Sequence, residues 1–202
     1  MAMQKRTFKI IVIGVSAGGT DALCEILTTL PASFPLPIVI VQHLHPEQNG
    51  YMLEHLKQIW QINVEEAIDK SAIKKGNIYF APPNYHLLIE DENTFALSVD
   101  EKVCYARPSV DVLFKSAADV YGESILAIIL TGANSDGTEG IKYIKKKGGM
   151  AIAQDPKDAY SSLMPQSAID TGKIDKVLTL SKISNILHRI AKSKNYTKRE
   201  DT

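Results

Sequence analysis

Short apolar runs alternate with longer amphipathic stretches along most of the chain. Runs rich in isoleucine and valine are typical of strands buried on both faces of a sheet, and they predict strands at residues 8–13, 38–41, 125–130 and 150–153, with a further strand at 176–180. Apolar residues at helical spacing predict helices at residues 22–30, 51–62, 109–121, 136–147, 163–171 and 181–191. Because strands and helices alternate, the sheet is expected to be mostly parallel with right-handed crossovers.

The pattern changes between residues 64 and 103. Three short strand candidates at 77–80, 86–89 and 94–98 are separated by proline, asparagine and acidic turn residues. This spacing predicts hairpins packed beside the main sheet. The predicted fold class is therefore α/β, a doubly wound, mostly parallel sheet flanked by helices, with a β-hairpin insertion. We expect a single domain over residues 1–202, with its core at about 8–191.

Charge and composition narrow the classes of partner. The chain has 23 lysines and arginines against 23 aspartates and glutamates, so no overall positive field would attract nucleic acid. The apolar run near the start is too short for a signal peptide or a membrane span, which favours a cytoplasmic protein without membrane insertion. Cys24 and Cys104 are the only cysteines, too few for a disulfide scaffold or a Cys-x-x-Cys metal site.

Three side chains with complementary chemistry follow predicted strands. Ser16 comes after the first strand, His43 after the second, and Asp136 after the strand at 125–130. In open α/β sheets the carboxyl ends of the strands meet at one crevice, so these side chains are expected to converge. A serine hydroxyl becomes a nucleophile when a neutral imidazole accepts its proton and a carboxylate fixes the other ring nitrogen. The pattern Gly14-x-Ser16-x-Gly18 also has the form of a nucleophile elbow.

Other interpretations remain open for the same residues. The glycine-rich turn around Ser16 could hold a phosphate, although neither the dinucleotide nor the Walker spacing is present. His43 and His45, together with His86, could be metal ligands of a hydrolase, although no carboxylate stands nearby at a familiar ligand spacing. Asp136 could simply be the N-cap of a helix.

Six ordered blocks give the chain a resemblance to a known family. They are Gly14-Val-Ser-Ala-Gly-Gly19, Val41-Gln-His43, Tyr79-Phe-Ala-Pro-Pro-Asn-Tyr-His86, Arg107-Pro-Ser-Val-Asp-Val-Leu-Phe114, Leu130-Thr-Gly132 with Asp136-Gly137, and Ala153-Gln-Asp155 with Met164-Pro165. Between about residues 9 and 190 the sequence resembles the catalytic domain of the chemotaxis protein-glutamate methylesterases, the CheB family.

The resemblance implies hydrolysis of glutamate methyl esters, and deamidation of glutamines, on methyl-accepting chemotaxis receptors. It implies Ser16 as the nucleophile, His43 as the general base and Asp136 as the orienting carboxylate, with no cofactor and no metal. The N–H groups of Ala17 and Ala133 are candidate oxyanion donors. Arg107 could contact an acidic receptor surface, although a structural salt bridge is the simpler expectation.

The chain also departs from the family pattern. It has Ala133-Asn134 where the family usually has Met-Gly, and His43-Leu-His-Pro46 where the family tends to have His-Met-Pro. The altered loop leaves open a non-catalytic receptor-binding module of the same fold. The sequence begins at the first predicted strand, so we expect no N-terminal receiver domain, and a separate phosphorelay regulator could then control the enzyme.

Overall fold

The computed structural model describes residues 6–43 and 46–193, and it describes residues 46–52 by their backbone alone. Within these residues, seven strands form one sheet in the order β3-β4-β2-β1-β7-β8-β9, and every neighbouring pair is parallel. Two further strands, β5 and β6, form a separate antiparallel hairpin. The predicted fold class is therefore confirmed, including the hairpin insertion.

The strands and helices have the following bounds. The strands are β1 Ile10–Val15, β2 Ile38–Gln42, β3 Asn63–Glu66, β4 Asn77–Phe80, β5 His86–Glu90, β6 Thr94–Ser98, β7 Ile125–Ile129, β8 Met150–Gln154 and β9 Lys176–Leu178. The helices are α1 Gly19–Leu27, α2 Pro46–Ile59, α3 Val110–Tyr121, α4 Thr138–Lys146, α5 Leu163–Asp170 and α6 Leu180–Lys192.

Each face of the sheet carries its own hydrophobic core. In β1, Ile11 and Ile13 belong to a core that also includes apolar side chains of α1, α2 and α6. Ile10 and Val12 belong to the opposite core, which includes side chains of α3, α4, α5 and the hairpin. Successive strand residues point to opposite faces, so a strand covered on both sides has no polar position to alternate with. This explains the uninterrupted apolar runs in the sequence.

The middle of the chain differs from its prediction in two respects. The sequence predicts a hairpin strand at 77–80, but β4 pairs in parallel with β2 inside the main sheet. Its residues Ile78, Tyr79 and Phe80 are all buried, which requires cover on both faces. The unpredicted β3 adds beyond β4 as the edge strand, and only Val64 of its four residues is buried. The hairpin itself is confirmed at β5 and β6 and packs against α3.

The strand order places a crevice beside β1. From β1 the sheet extends to β2, β4 and β3 on one side and to β7, β8 and β9 on the other. Loops that leave β1 and its neighbours therefore diverge to opposite faces at their carboxyl ends, which opens the crevice where ligands bind in doubly wound folds. None of the helices in the described part of the chain has the length and apolar content needed to cross a lipid bilayer.

Candidate active site

The carboxyl ends of β1, β2 and β7 bring the three predicted catalytic segments together. Val15 and Gln42 are register partners in adjacent strands, so Ser16 and His43 leave the sheet side by side. The N–H of His43 donates to the carbonyl of Val15 at 3.1 Å, and the N–H of Ser16 donates to the carbonyl of Thr131 at 2.9 Å. Backbone hydrogen bonds thus join the loop after β1 to the loops after β2 and β7.

Asp136 lies at the centre of a dense hydrogen-bond network. The residue is 1% exposed, and its carboxylate accepts five hydrogen bonds. Oδ1 accepts from the Ser109 hydroxyl at 2.9 Å and from the N–H groups of Asp111 and Gly137 at 3.0 and 2.9 Å. Oδ2 accepts from the N–H of Val110 at 2.7 Å and from His43 Nε2 at 3.0 Å. A buried carboxylate held by so many donors has a fixed position and a fixed charge.

The pKa of Asp136 reflects a competition between burial and hydrogen bonding. Burial, the largest single influence, raises the pKa by penalising the charged form. The hydrogen bond from His43 and those from the backbone of Asp111 and Val110 together outweigh burial, so the pKa lies below its ordinary value. Asp136 is therefore an anion at neutral pH, as an orienting carboxylate must be.

His43 is held at both ring nitrogens. Nε2 faces Asp136 Oδ2 at 3.0 Å, and Nδ1 faces the side-chain amide nitrogen of Asn134, also at 3.0 Å. The side chain is 13% exposed, so one edge of the ring still reaches solvent. The ring is thus oriented by Asp136 at Nε2, and Nδ1 is the one nitrogen that does not face the carboxylate.

Ser16 is less constrained than His43. Its side chain is half-buried, and within the described residues its hydroxyl makes no hydrogen bond, including none to His43. Gly18 follows with φ of 74°, a left-handed conformation that caps α1 and turns the chain sharply after the serine. A Cβ on Gly132 would lie 3.0 Å from Ser16 Cβ and 2.4 Å from Met164 Sδ. Glycine at 132 therefore allows the two loops to approach closely.

The predicted oxyanion donors are available. Within the described residues, the N–H groups of Ala17 and Ala133 donate to no acceptor of the chain. Both adjoin the Ser16 turn, because the Thr131 hydroxyl donates to the carbonyl of Ala17 at 2.8 Å and Gly132 packs against Ser16. A developing oxyanion requires N–H donors that are not already paired, and the assignment of these two donors stays a prediction.

Arg107 has a structural role in its surroundings. Its Nη1 donates to the carbonyls of Val99 and Asp100 at 2.6 and 2.9 Å, and its Nε is buried without a partner. The expected salt bridge is not formed within the described part of the chain, because the guanidinium group binds backbone carbonyls instead. Contact with a receptor stays a prediction.

The metal-site alternative names three histidines, of which the structure describes His43 and His86. His45 lies outside the described residues, as does the leucine before it in the altered His-Leu-His-Pro segment. His86 is 1% exposed in β5 and its Nε2 bonds to the carbonyl of Glu101 at 2.9 Å. The three ligand-type side chains that do cluster in the described residues are Cys104, Asp111 and Asp136, with ligand atoms within 4.8 Å. Both Asp136 oxygens already accept protein donors, which does not suit a cation ligand.

Several residues of this network are not predicted by the sequence. Ser109 occupies the N-cap position of α3, but its hydroxyl makes no capping bond there and donates to Asp136. Similarly, Gly137 and not Asp136 is the N-cap of α4. Thr131 and Gln154 hold the loop after β7 against the end of β8, because the Thr131 N–H donates to Gln154 Oε1 at 2.9 Å. Thr131 and Gln154 lie at the carboxyl ends of the buried strands β7 and β8, and polar residues at such ends are the signal that could have found these two.

Comparisons with known proteins indicate the family of the chain. A sequence model described as CheB methylesterase matches residues 11–187. A Leptospira interrogans protein provisionally named protein-glutamate methylesterase/protein-glutamine glutaminase is 50% identical over 91% of this chain and 95% of its own length. A Thermotoga maritima protein of that name is 39% identical over 87% of this chain and 52% of its own length.

A solved structure gives the same result for the fold. The crystal structure of the Thermotoga maritima CheB methylesterase catalytic domain has a TM-score of 0.86 and 38% identity, covering 90% of this chain and 97% of that one. The chain spans about half the length of the curated Thermotoga and Trichodesmium erythraeum relatives. The family model and these relatives show that the chain belongs to the CheB methylesterase family.

Proposed function

We propose that this protein hydrolyses methyl esters of glutamate side chains, and deamidates glutamines, on methyl-accepting chemotaxis receptors. The observation that carries the proposal is the hydrogen bond between His43 Nε2 and the buried Asp136 carboxylate, next to Ser16 at the same end of the sheet. The relatives named protein-glutamate methylesterase/protein-glutamine glutaminase support the substrate class. In this proposal the enzyme works in the cytoplasm and needs no cofactor.

The first half of the reaction forms an acyl-enzyme. Ser16 Oγ attacks the ester carbonyl carbon while His43 Nδ1 accepts the hydroxyl proton, and Asp136 stabilises the resulting imidazolium. The carbonyl oxygen becomes an oxyanion that the N–H groups of Ala17 and Ala133 can bind. When the C–O bond to the methoxy group breaks, His43 returns the proton and methanol leaves.

The second half regenerates the serine. Water attacks the glutamyl-serine ester while His43 Nδ1 takes one of its protons, and the C–O bond to Ser16 then breaks as His43 protonates the serine oxygen. The products are methanol and a glutamate side chain, for a net consumption of one water. A glutamine side chain would follow the same course with ammonia as the leaving group.

Methanol release from a methylated receptor tests the proposal. Ser16→Ala should reduce methanol release by at least about 10³-fold, because nucleophilic catalysis is lost. The Ser162→Ala variant is the matched control: Ser162 is exposed at the start of α5 and its side chain makes no capping bond there. Ser162→Ala should release methanol at the parental rate. Near-parental turnover in Ser16→Ala would overturn the mechanism, and receptor binding without turnover in the parental chain would support a binding module instead.

A further inference from the structure

Asn134 occupies the one position on His43 that the proposed mechanism needs to be free. In the structure Nδ1 of His43 lies 3.0 Å from the amide nitrogen of Asn134, and Ser16 makes no hydrogen bond to the ring. Asp136 already occupies Nε2. Ser16 therefore has no ring nitrogen to transfer its proton to while the Asn134 contact persists.

The orientation of the Asn134 amide is fixed by a second hydrogen bond. Its Oδ1 accepts from the N–H of Asp136 at 3.1 Å, so the oxygen cannot be exchanged with the nitrogen without losing that bond. The amide nitrogen is therefore the atom that faces His43. An amide NH₂ group can only donate, which makes Nδ1 the acceptor and places the single ring proton on Nε2. That proton then points to the Asp136 carboxylate, which accepts it.

The same contact has two opposite effects on reactivity. It holds His43 in the tautomer with the proton on Nε2 and the lone pair on Nδ1, the nitrogen that acts as the base in the proposed mechanism. It also occupies that lone pair, so a serine proton can be accepted only after the amide has left. Asn134 is half-buried in the loop between β7 and α4, beside exposed Ala133 and Ser135. The proposal requires its side chain to rotate away from the ring.

We propose that Asn134 is a positioning residue that holds His43 Nδ1 in the resting site and releases it to the Ser16 hydroxyl in each reaction cycle. This inference rests on the proposed esterase function. The two hydrogen bonds of the amide, one to His43 and one to Asp136, tie the resting position of the base to the turn that carries the orienting carboxylate. Removing the amide should make the base available at all times.

The experiment measures how fast a fluorophosphonate probe modifies Ser16 in the full chain, between about pH 5.5 and pH 9, which brackets histidine titration. Asn134→Ala should raise the labelling rate at neutral pH by about 2- to 10-fold, the ratio that corresponds to one neutral hydrogen bond. Ser135→Ala is the neighbouring control, because the Ser135 side chain is exposed and makes no hydrogen bond within the described residues. It should label at the parental rate.

A second variant separates this role from a purely structural one. Asn134→Asp keeps an oxygen that can accept from Asp136 N–H, so the turn is preserved, but it presents a carboxylate oxygen to Nδ1 in place of a donor. A carboxylate at both ring nitrogens favours the doubly protonated ring, which cannot act as a base. The other titratable groups near this site in the described residues are Asp111 and Cys104, beyond Asp136. Labelling at neutral pH should fall at least about 10-fold, and its pH midpoint should move up by about one unit or more.

The outcomes distinguish the two proposals. Faster labelling in Asn134→Ala together with the upward pH displacement in Asn134→Asp supports the role of Asn134. Parental rates and pH profiles in both variants, or slower labelling in Asn134→Ala with full rescue by Asn134→Asp, would overturn it while leaving the esterase proposal intact. Absence of Ser16 labelling in the folded parental chain and in Asn134→Ala would overturn the esterase proposal and, with it, this inference.

Discussion

The two ends of the proposed proton pathway are built very differently. Asp136 is buried and accepts five hydrogen bonds from three segments of the chain, whereas the Ser16 hydroxyl is half-buried and makes none within the described residues. The hydrogen bond from Nε2 to Asp136 sets the orientation of the His43 ring before substrate arrives. The Ser16 hydroxyl has no partner to lose among the described residues, so it can form new hydrogen bonds in the transition state. The site is thus rigid at the Asp136 carboxylate, which must stay charged, and less constrained at the Ser16 hydroxyl, which must form a new bond.

The largest expected difference between Asp136 and Ser16 is in how much each side chain contributes to the free energy of unfolding. Asp136→Ala leaves buried donors of Ser109, Val110 and Asp111 without an acceptor, and should lower the free energy of unfolding by about 3 kcal/mol or more. Ser16→Ala should change it by less than about 0.5 kcal/mol, since no hydrogen bond is lost. Urea unfolding of both variants measures this contrast. Equal stability losses would show that Asp136 is not the structural anchor of the site.

Gly132 tests how closely the Ser16 turn depends on its neighbours. In Gly132→Ala the new Cβ would meet Met164 Sδ at 2.4 Å and Ser16 Cβ at 3.0 Å, so the loops must separate. We expect a loss of about 1–3 kcal/mol in stability and about 10- to 100-fold in methanol release, because the nucleophile is displaced.

Gly172→Ala provides the matched control for Gly132. Gly172 has φ of 67°, and a Cβ added there would have no neighbouring atom within 4 Å, so alanine costs only the strain of its left-handed backbone. That strain is about 1 kcal/mol. Methanol release should stay at the parental level. An equal loss of activity in both glycine variants would indicate general destabilisation and not displacement of Ser16.

Thr131 connects the Ser16 turn to the segment before α5. Its hydroxyl donates to Ala17 O at 2.8 Å and accepts from Ser161 N–H at 2.9 Å. Thr131→Val keeps the shape but leaves both groups unpaired, which should cost about 1–3 kcal/mol in unfolding free energy. Differential scanning calorimetry and methanol release should both show a partial loss. Unchanged values would mean that the Ser16 turn holds its position without this brace.

The smallest expected effect is the pH dependence of the free energy of unfolding. Because the pKa of Asp136 is lowered in the folded state, its carboxylate stabilises the fold above its ordinary value of 3.8, and this contribution disappears as the pH falls through the lower folded value. The stability difference between the parental chain and Asp136→Asn should therefore shrink below about pH 3.8.

Asp111 should behave in the opposite way. Burial raises its pKa, an effect only partly offset by the N–H of Gly140, so its ionised form does not favour the folded state. Asp111→Asn should therefore cost little at neutral pH. Urea titrations at several pH values compare the two carboxylates, and parallel pH dependence in both variants would contradict the assigned directions.

The sequence predicted the parts of the fold that depend on local periodicity. Continuous apolar runs identified β1, β2, β7 and β8, since strands covered on both faces carry no polar positions. It did not identify β3, where Val64 is the one buried residue, because an edge strand has little apolar pattern. Nor did it place β4 correctly, since whether a short strand joins the central sheet depends on long-range pairing.

The same division applies to the site. The convergence of the segments that carry Ser16, His43 and Asp136 could be predicted, because each follows a buried strand and the fold brings such positions to one edge. The Ser109 hydroxyl and the Asn134 amide could not be predicted in their contacts. Ser109 is 27 positions from Asp136, and Asn134 is 91 positions from His43, so only the folded geometry pairs them.

The most direct test of the central claim is to locate the adduct of a serine-reactive phosphonate by mass spectrometry in the parental chain and in His43→Gln. The account predicts modification of Ser16 in the parental chain and its near absence in His43→Gln, because no base would activate the hydroxyl. Modification at another residue, or equal labelling of Ser16 with and without the imidazole, would contradict it.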